Sequence, residues 1–283
     1  MRELRVIESC VQILHVPFAK GTHNFEDITQ DMAITSICKL TYQLLAKIVE
    51  NYQLNQIYAA QWINLYLSNV LKTTSQNQIG ADSFLTLLSD QNKSILEQKF
   101  TREIIQNFIT SCERSLETPR LLRLLTALCS CQGQPISSNQ TDIIQILIGT
   151  ESSRKKFLML VQRKRPDGVE VCLDLTANKY VDLLVVIQQV AKIREEIIRD
   201  ADRETSLVKQ SSKILLSDYT AFLQLIDLLS EACLGRNAES QRIISERFEL
   251  KTIQPIIEKP EYPHELRYRV LRLYLNLYLD KTF

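Results

Sequence analysis

The cysteines and histidines are the side chains that could bind a metal ion. The seven cysteines form no C-x-x-C pair, and most lie among apolar residues at helical spacing, which indicates buried free thiols in a reducing compartment. Cys129 and Cys131 cannot share a metal, because residues two apart on a helix point in different directions. The three histidines show no ligand spacing. The sequence therefore predicts neither a metal site nor a cofactor.

The sequence contains none of the common catalytic or nucleotide-binding motifs. It holds no G-x-G-x-x-G, no Walker loop, no G-x-S-x-G, no H-E-x-x-H and no EF-hand loop. His15 lies near the end of an apolar helical pattern and His264 lies in a proline-flanked turn. Both positions favour packing or capping over general-base catalysis. We expect that the chain is not an enzyme.

Three clusters of basic residues carry enough charge to bind phosphate. They are Arg154-Lys155-Lys156, Arg163-Lys164-Arg165, and the group Arg267, Arg269 and Arg272. The clusters flank apolar segments and have no interleaved aromatic residues on which bases could stack, which favours solvated surface charge. The net charge of +1 provides no general attraction to nucleic acid or to anionic membranes. Nucleic acid is therefore not an expected partner.

The composition favours a helical globular protein. The chain has 45% hydrophobic and 24% charged residues, with only six glycines and seven prolines, too few for a fold with many obligatory turns. The longest apolar runs have five residues, whereas a membrane-spanning helix needs about 20. Charged residues interrupt the first turns, so no signal peptide is expected. We expect a cytoplasmic location without direct membrane insertion.

The stretch from Pro119 to Ile148 predicts two helices. Five leucines (121, 122, 124, 125 and 128) follow one side of the first helix. Gly133 and Pro135 end it, and Ser137 begins a second helix with an isoleucine-rich face. We expect a tight antiparallel hairpin in which these leucines pack against Ile143, Ile144 and Leu147.

A hairpin of this kind cannot bury its own apolar surface, so neighbouring helices must cover it. Helical patterns of similar length occur before and after it, and together they predict a stacked helical array. The predicted helices are Arg2–Val16, Met32–Val49, Gln53–Lys72, Ala81–Ser89, Asn92–Lys99, one capped by Thr101, Asn178–Asp200, Ser217–Leu234, Ala238–Arg247, Leu250–Glu258, and a last one after Pro263.

Residues 157–175 interrupt the helical pattern. The residues from Val169 to Leu175 alternate between apolar and polar types, except at Cys172, and Pro166-Asp167-Gly168 is typical of a reversing turn. The apolar run just before the turn is the nearest segment able to pair with this strand. We predict a two-stranded β-hairpin, with Gly168 at positive φ, as the only strands of the protein.

Two segments resemble the homology region that inositol trisphosphate receptors and ryanodine receptors share. One runs from Thr101 to Ile144 and includes L-L-R-L-L-T-A-L-C-S-C-Q-G-Q-P-I-S-S-N-Q-T. The other is L-S-E-A-C-L-G-R-N, ending at Asn237, and is followed by P-H-E-L-R. The order and spacing of the two segments agree with this family, and the similarity, extended outward over nearly the whole chain, is closer to the inositol trisphosphate receptor. The resemblance implies an all-α, armadillo-like helical solenoid with one small inserted β-hairpin.

The same resemblance implies a division of the chain and a position for ligand contacts. Residues 1–156 would match the helical half of the ligand-binding core and the shared homology region, 157–175 the hairpin insertion, and 176–283 a second group of solenoid helices. The basic ligand-contacting helix of the family matches here only at Arg2. The family's Tyr-Arg-Lys triplet falls on Tyr52, Gln53 and Leu54, so two phosphate-binding charges are absent. Inositol trisphosphate would bind weakly at most.

The function that the resemblance implies is mechanical. The chain would be a regulatory or relay module of an intracellular calcium-release channel, with neither a β-trefoil nor a pore segment of its own. Its partners would be the remainder of the channel polypeptide or other subunits, and the parent channel would lie in the endoplasmic reticulum or another calcium-store membrane. The alternative is a stand-alone helical scaffold that binds a protein partner.

Overall fold

A computed structural model describes residues 2–18, 31–73, 78–112, 118–149, 159–160, 168–174, 179–200 and 210–280. The chain divides into two compact units. Unit 1 comprises Met1–Ser111 and Ser130–Asn139, and unit 2 comprises Cys112–Cys129 and Gln140–Phe283. Helices dominate both units, and among the described residues unit 1 also contains a two-stranded antiparallel sheet and unit 2 a three-stranded one. The predicted class, an all-α armadillo-like solenoid with a small β insertion, is confirmed.

Unit 1 contains seven helices among its described residues. They are α1 (Arg2–His15), α2 (Met32–Val49), α3 (Gln53–Ala59), α4 (Ile63–Lys72), α5 (Ala81–Gln91), α6 (Lys93–Lys99) and α7 (Arg102–Cys112). The Asp31 carboxylate caps α2 by accepting from the N–H groups of Ala33 and Ile34. The Thr101 hydroxyl caps α7 through the N–H of Ile104. Both caps stabilise the first turn of a helix whose inner face is apolar.

The core of unit 1 is aromatic. Tyr42 of α2, Tyr66 of α4 and Phe84 of α5 are almost fully buried, and their ring centroids lie 5.0–6.1 Å apart in tilted or edge-to-face arrangements. The Tyr42 hydroxyl accepts a hydrogen bond from the Asn69 side chain. Burial raises the pKa of both tyrosines above its usual value, so they remain neutral inside this core.

Unit 2 is built around its longest helix. Its helices are α8 (Thr118–Ala127), α9 (Ser137–Ile148, from Gln140 onward), α10 (Leu183–Asp200), α11 (Gln210–Ala232), α12 (Ala238–Ser245), α13 (Leu250–Glu258) and α14 (His264–Tyr274), which continues as a π-helical turn (Leu275–Leu279). Helix α11 packs against α8, α14 and α10, and α13 packs against α14. The fully buried side chains of α11 include Ile226, Leu228 and Leu229.

The principal neighbour of α8 is α11, not the predicted α9. The leucines of α8 are buried as expected, and so are Ile143, Ile144 and Leu147 of α9, and the predicted contact between these two groups stays a prediction. Between α8 and α9 the chain forms two short strands, β1 (Ser130–Cys131) and β2 (Gln134–Pro135). Gln132 and Gly133 both have positive φ, as a two-residue type I′ hairpin requires. This hairpin connects the end of α8 to the start of α9.

The inserted hairpin is confirmed, with corrections. Strand β3 (Met159–Leu160) pairs antiparallel with β4 (Glu170–Asp174), and β5 (Lys179–Asp182) pairs with the other edge of β4. The prediction that these two strands are the only ones is wrong, because β1, β2 and β5 also form. Gly168 is not among the residues with positive φ, so its predicted turn role is wrong too. Pro166 and Asp167 lie outside the described residues.

The third strand replaces the first turn of a predicted helix. Helix α10 begins at Leu183, not near Asn178, since the preceding residues pair with β4. The Asp182 side chain accepts a hydrogen bond from the Leu184 N–H at 2.8 Å, which caps the start of α10. The sequence-based division at residues 156 and 175 concerns family segments and remains a prediction.

Candidate functional site

The first residue to locate is Tyr52, the predicted ligand contact. It directly precedes α3, next to Asn51, whose φ is 61°, and its side chain is 62% exposed. Gln53 and Leu54 are exposed as well, so the three positions that match the Tyr-Arg-Lys triplet share one solvent-facing turn. An amide and an isobutyl group occupy the two positions where cations would bind phosphate.

Arg2, the other predicted contact, is the first residue of α1, and its side chain lies outside the described atoms. Helix α1 packs against α2 and α3. The described link between α1 and α3 is the Tyr58 hydroxyl, which donates to the Glu8 carboxylate at 2.5 Å. That contact places an anion, which would repel phosphate, on the surface that α1 and α3 share.

Side-chain amides hold the turn that presents Tyr52. Gln56 of α3 is buried, and its Nε2 donates to the Val49 carbonyl at 3.0 Å and to Gln91 Oε1 at 2.7 Å. Its Oε1 accepts from Asn92 Nδ2 at 3.1 Å. Gln91 Oε1 also accepts from the backbone N–H of Asn51 at 3.0 Å. We call this set, Gln56, Gln91, Asn92 and Asn51, the unit 1 amide clamp.

Unit 2 contains a second and more deeply buried amide network. Gln140 at the start of α9 is fully buried, and its Nε2 donates to the carbonyls of Glu231 and Leu234 at 3.0 and 3.1 Å. Glu231 lies in the last turn of α11 and Leu234 two residues beyond its end, where carbonyls lose the regular backbone partners of a helix interior. The glutamine therefore satisfies the end of a helix that lies 91–94 residues away in the sequence.

Asn237 completes this contact from the following turn. Its Nδ2 donates to Gln140 Oε1 and to Thr141 Oγ1, each at 3.1 Å. Its Oδ1 accepts from the Ser240 N–H at 3.1 Å, which caps α12. Asn237 thus joins the start of α9 to the start of α12. We call Gln140, Thr141 and Asn237 the unit 2 amide clamp.

A second glutamine repeats this geometry one helix later. Gln241 of α12 donates from Nε2 to the carbonyls of Asn276 and Asp280 at 2.8 and 2.9 Å. Asn276 donates from Nδ2 to the Ser230 carbonyl at 3.0 Å. The chain of contacts therefore connects α12, the π-helical end of α14 and the end of α11. Sequence reasoning missed these residues, although glutamine and asparagine beside helix termini were a visible signal.

The basic cluster of α14 is engaged inside unit 2. Arg269 forms ion pairs with Asp227 and Glu265, and Arg272 pairs with Glu231. Arg267 donates from Nε to the Ile257 carbonyl at 3.0 Å. The predicted reading of these arginines as solvated surface charge is therefore incomplete, because they tie α14 to α11 and α13. Phosphate binding would have to displace these contacts.

The buried thiols show no sign of activation. Burial raises the pKa of Cys233 to about 12 and holds that of Cys129 well above its usual value, so both stay protonated and unreactive. Among the residues that the structure describes, no three potential metal ligands come together. The two amide clamps hold helix ends together and carry no reactive group, so the arrangement can position helices but offers no catalytic chemistry.

Comparison with known proteins assigns the family. The family model described as RYDR_ITPR, the RIH domain, matches residues 1–163. The chain belongs to the RIH-domain family. The matched region contains α1 to α9, including Gln56 and Gln140, whereas Asn237 and Gln241 lie beyond it. In the unit 2 amide clamp, a residue of the matched RIH region therefore binds residues outside that region.

One curated relative is the inositol 1,4,5-trisphosphate receptor-like protein A of Dictyostelium discoideum. It is 24% identical over 190 residues, which are 67% of this chain and 5% of that protein. This RIH-domain chain thus corresponds to a small part of that relative's length. The resemblance to the inositol trisphosphate receptor family, first noted from the two motif segments, is confirmed.

Proposed function

We propose that this chain is a relay module of an inositol trisphosphate receptor-like calcium-release channel, and that it acts without catalysis. The observation that carries the proposal is the unit 2 amide clamp. Its members Gln140 and Asn237 belong to the two motif segments that resemble the receptor family, and their side chains bind each other at 3.1 Å. The RIH-domain match and the receptor-like relative support the same function.

The relay would work by rigid displacement of helices. Gln140 attaches the start of α9 to the end of α11, and the contacts of Ser230 and Glu231 attach that end to α14. A force applied to α9 would therefore move the start of α9, the end of α11 and the end of α14 together. Packed helices and buried hydrogen bonds resist local deformation, so such a displacement is not absorbed nearby.

Ligand binding belongs to the rest of the proposed channel. Each charge-assisted hydrogen bond to phosphate contributes about 1.5–3 kcal/mol, and the turn at Tyr52 lacks two of the expected cations. We expect isothermal titration calorimetry with inositol 1,4,5-trisphosphate to detect very weak binding or none. Micromolar affinity that Arg2→Ala and Tyr52→Phe abolish would contradict this expectation.

The proposed partners are the remainder of the channel polypeptide or its other subunits, on the cytosolic face of a calcium-store membrane such as the endoplasmic reticulum. An antibody against residues 210–280 tests this in native cells. We expect it to detect the epitope in the store-membrane fraction, in a detergent-solubilised complex much larger than 32.7 kDa. A soluble 32.7 kDa species would instead support the stand-alone scaffold and contradict the proposal.

A further inference from the structure

Unit 1 contains a cavity of about 320 Å³ between α4 and α7. Small-molecule sites usually have volumes of roughly 300–1,000 Å³, so this cavity has room for a small ligand. Four of its lining residues are apolar. Leu67 and Phe108 are buried, Ile104 is half-buried and Leu71 is 37% exposed. We call this space the α4–α7 cavity, and its apolar wall can take up a hydrocarbon group from water.

Helix α4 presents two parallel rows of residues to the cavity. Leu67 and Leu71 form an apolar row, and Asn64, Ser68 and Lys72 form a polar row beside it. Both rows have a spacing of four residues, which places their members above one another on one side of a helix. At about 1.5 Å per residue the polar row is about 12 Å long. The lining therefore matches a narrow, elongated ligand that is apolar along its length.

The polar row ends in a positive charge. Lys72 lies in the last turn of α4, is exposed, and is the only ionisable residue among those that line the cavity. Asn64 and Ser68 form no side-chain hydrogen bond with another described residue, so their polar groups are available to a ligand. A carboxylate beside Lys72 would gain a charge-assisted hydrogen bond. The charge of the lining thus favours an anionic head group at one end of the cavity.

We propose that the α4–α7 cavity binds a free fatty acid, with its hydrocarbon chain against the apolar wall and its carboxylate near Lys72. Inositol trisphosphate fits less well, because it has no apolar part and the lining supplies one cation. A partner helix also fits less well, because a specific protein interface buries roughly 1,200–2,000 Å², most of which would lie outside this cavity. The proposal rests on unit 1 alone and is independent of the proposed channel function.

Isothermal titration calorimetry on the full 283-residue chain tests the proposal. The two probes are dodecanoate and dodecyltrimethylammonium, which share a hydrocarbon chain and differ in the sign of their head group, each used below its micelle concentration. Dodecanoate should bind at one site and at least about tenfold more tightly than the cationic probe. No binding of dodecanoate, or equal affinities of the two probes, would overturn the proposal.

The length of the acid tests whether its chain is buried. Each methylene group that enters an apolar site strengthens binding roughly fourfold. Octanoate should therefore bind at least about tenfold more weakly than dodecanoate in the same assay. Equal affinities of the two acids would mean that the hydrocarbon chain stays in water, which would overturn the proposal.

Two variants locate the site. Ser68→Phe should weaken dodecanoate binding at least about tenfold, because the ring occupies part of the cavity. Lys72→Glu should weaken it at least about tenfold and strengthen binding of the cationic probe, because it reverses the charge at the end of the polar row.

The matched controls are Ser36→Phe and Lys39→Glu, which make the same two changes at exposed positions of α2 outside the lining. Both should alter affinity less than about twofold. Circular dichroism establishes that each variant folds, and Lys72→Glu decides the test if Ser68→Phe does not. Unchanged affinity in Lys72→Glu, or an equal loss in the controls, would overturn the proposal.

A membrane lipid is the competing source of an anionic head group and a hydrocarbon chain. In sedimentation with vesicles of phosphatidylcholine and phosphatidylserine, the chain should stay in the supernatant. Vesicle binding that Ser68→Phe or Lys72→Glu abolishes would assign the cavity to a membrane lipid and overturn the proposal of a free fatty acid.

Discussion

The two amide clamps use the same chemistry at very different ranges. In unit 1, Gln56 reaches carbonyl and amide groups 7 and 35 residues away, around the turn that presents Tyr52. In unit 2, Gln140 and Asn237 lie 97 residues apart and join helix ends with no sequence proximity. The unit 1 clamp borders the exposed residues Asn51 and Tyr52, whereas Gln140 has no exposed surface.

This difference shows how one side-chain type can have two structural roles. The unit 1 contacts, which span 7 to 40 residues, fix one turn, and water can replace part of them where the partner is near the surface. A buried long-range contact closes a large loop and cannot be replaced by water, so its loss leaves polar groups unpaired. We therefore expect that removing a side chain of the unit 2 clamp lowers the free energy of unfolding more than removing one of the unit 1 clamp. The variants below test that ranking.

The largest loss of stability should come from a change in the apolar contact between α8 and α11, next to the unit 2 clamp. Leu125 of α8 is fully buried, and α8 packs along α11. Leu125→Ala should lower the free energy of unfolding by about 2–5 kcal/mol, because it removes buried methyl groups and leaves a cavity. Urea denaturation followed by circular dichroism measures this. A loss below about 1 kcal/mol would mean that α8 contributes little to this contact.

The second largest loss of stability should come from removing the side chain of Gln140 in the unit 2 clamp. Gln140→Ala removes the buried hydrogen bonds to the Glu231 and Leu234 carbonyls and the one from the Asn237 amide, and we expect a loss of about 1–3 kcal/mol in the same assay. Gln254→Ala is the matched control, since Gln254 is an exposed helical glutamine, and it should change stability by less than about 0.5 kcal/mol. Equal effects of the two variants would remove the distinction between buried and exposed amides.

Removing the side chain of Gln56 in the unit 1 clamp should lower the free energy of unfolding by a smaller amount. Gln56→Ala removes the bonds to the Val49 carbonyl and to Gln91 and the one from the buried Asn92 amide. The Val49 carbonyl still accepts from the Tyr52 N–H, and Gln91 is only half-buried and can bind water instead. We expect a loss of about 0.5–1.5 kcal/mol. The single tryptophan, Trp62, lies in unit 1, so its fluorescence during urea denaturation reports this variant. A loss greater than that of Gln140→Ala would reverse the ranking.

The smallest effect should be at Gly168, beside the inserted sheet. An added Cβ would meet the Asp182 carboxylate at 3.4 Å, an ordinary contact distance, and no positive φ must be maintained. Gly168→Ala should therefore change stability by less than about 0.5 kcal/mol. In contrast, Gly80 has a φ of 94°, and Gly80→Ala should cost about 1 kcal/mol or more. Similar costs for both variants would contradict the assigned backbone geometry.

Local patterns predicted most of the helices but not their partners. Helix α2 begins and ends where its apolar spacing indicates, and the buried leucines of α8 were identified correctly. The partner of α8 is α11, whose position depends on contacts that spacing within one segment does not encode. Strand β5 was assigned to a helix because its four residues carry too short a pattern, and pairing with β4 decides its conformation.

The candidate site shows the same limit. Tyr52 and Arg2 came from the family resemblance, and their role in ligand binding remains a prediction. Gln140 and Asn237 lay within the motif segments, but a side chain that binds helix ends more than 90 residues away leaves no periodic signal. Only the positions of amides beside helix termini indicated where such contacts could form.

A double-mutant cycle between Gln140 and Asn237 tests the central claim, that a direct side-chain contact joins the two motif segments. We expect Gln140→Ala and Asn237→Ala to interact, with a coupling energy of about 1 kcal/mol or more in urea denaturation, because their amides bind each other in a buried site. If the two losses add within about 0.3–0.5 kcal/mol, the segments are energetically independent, and the proposed relay through this clamp is contradicted.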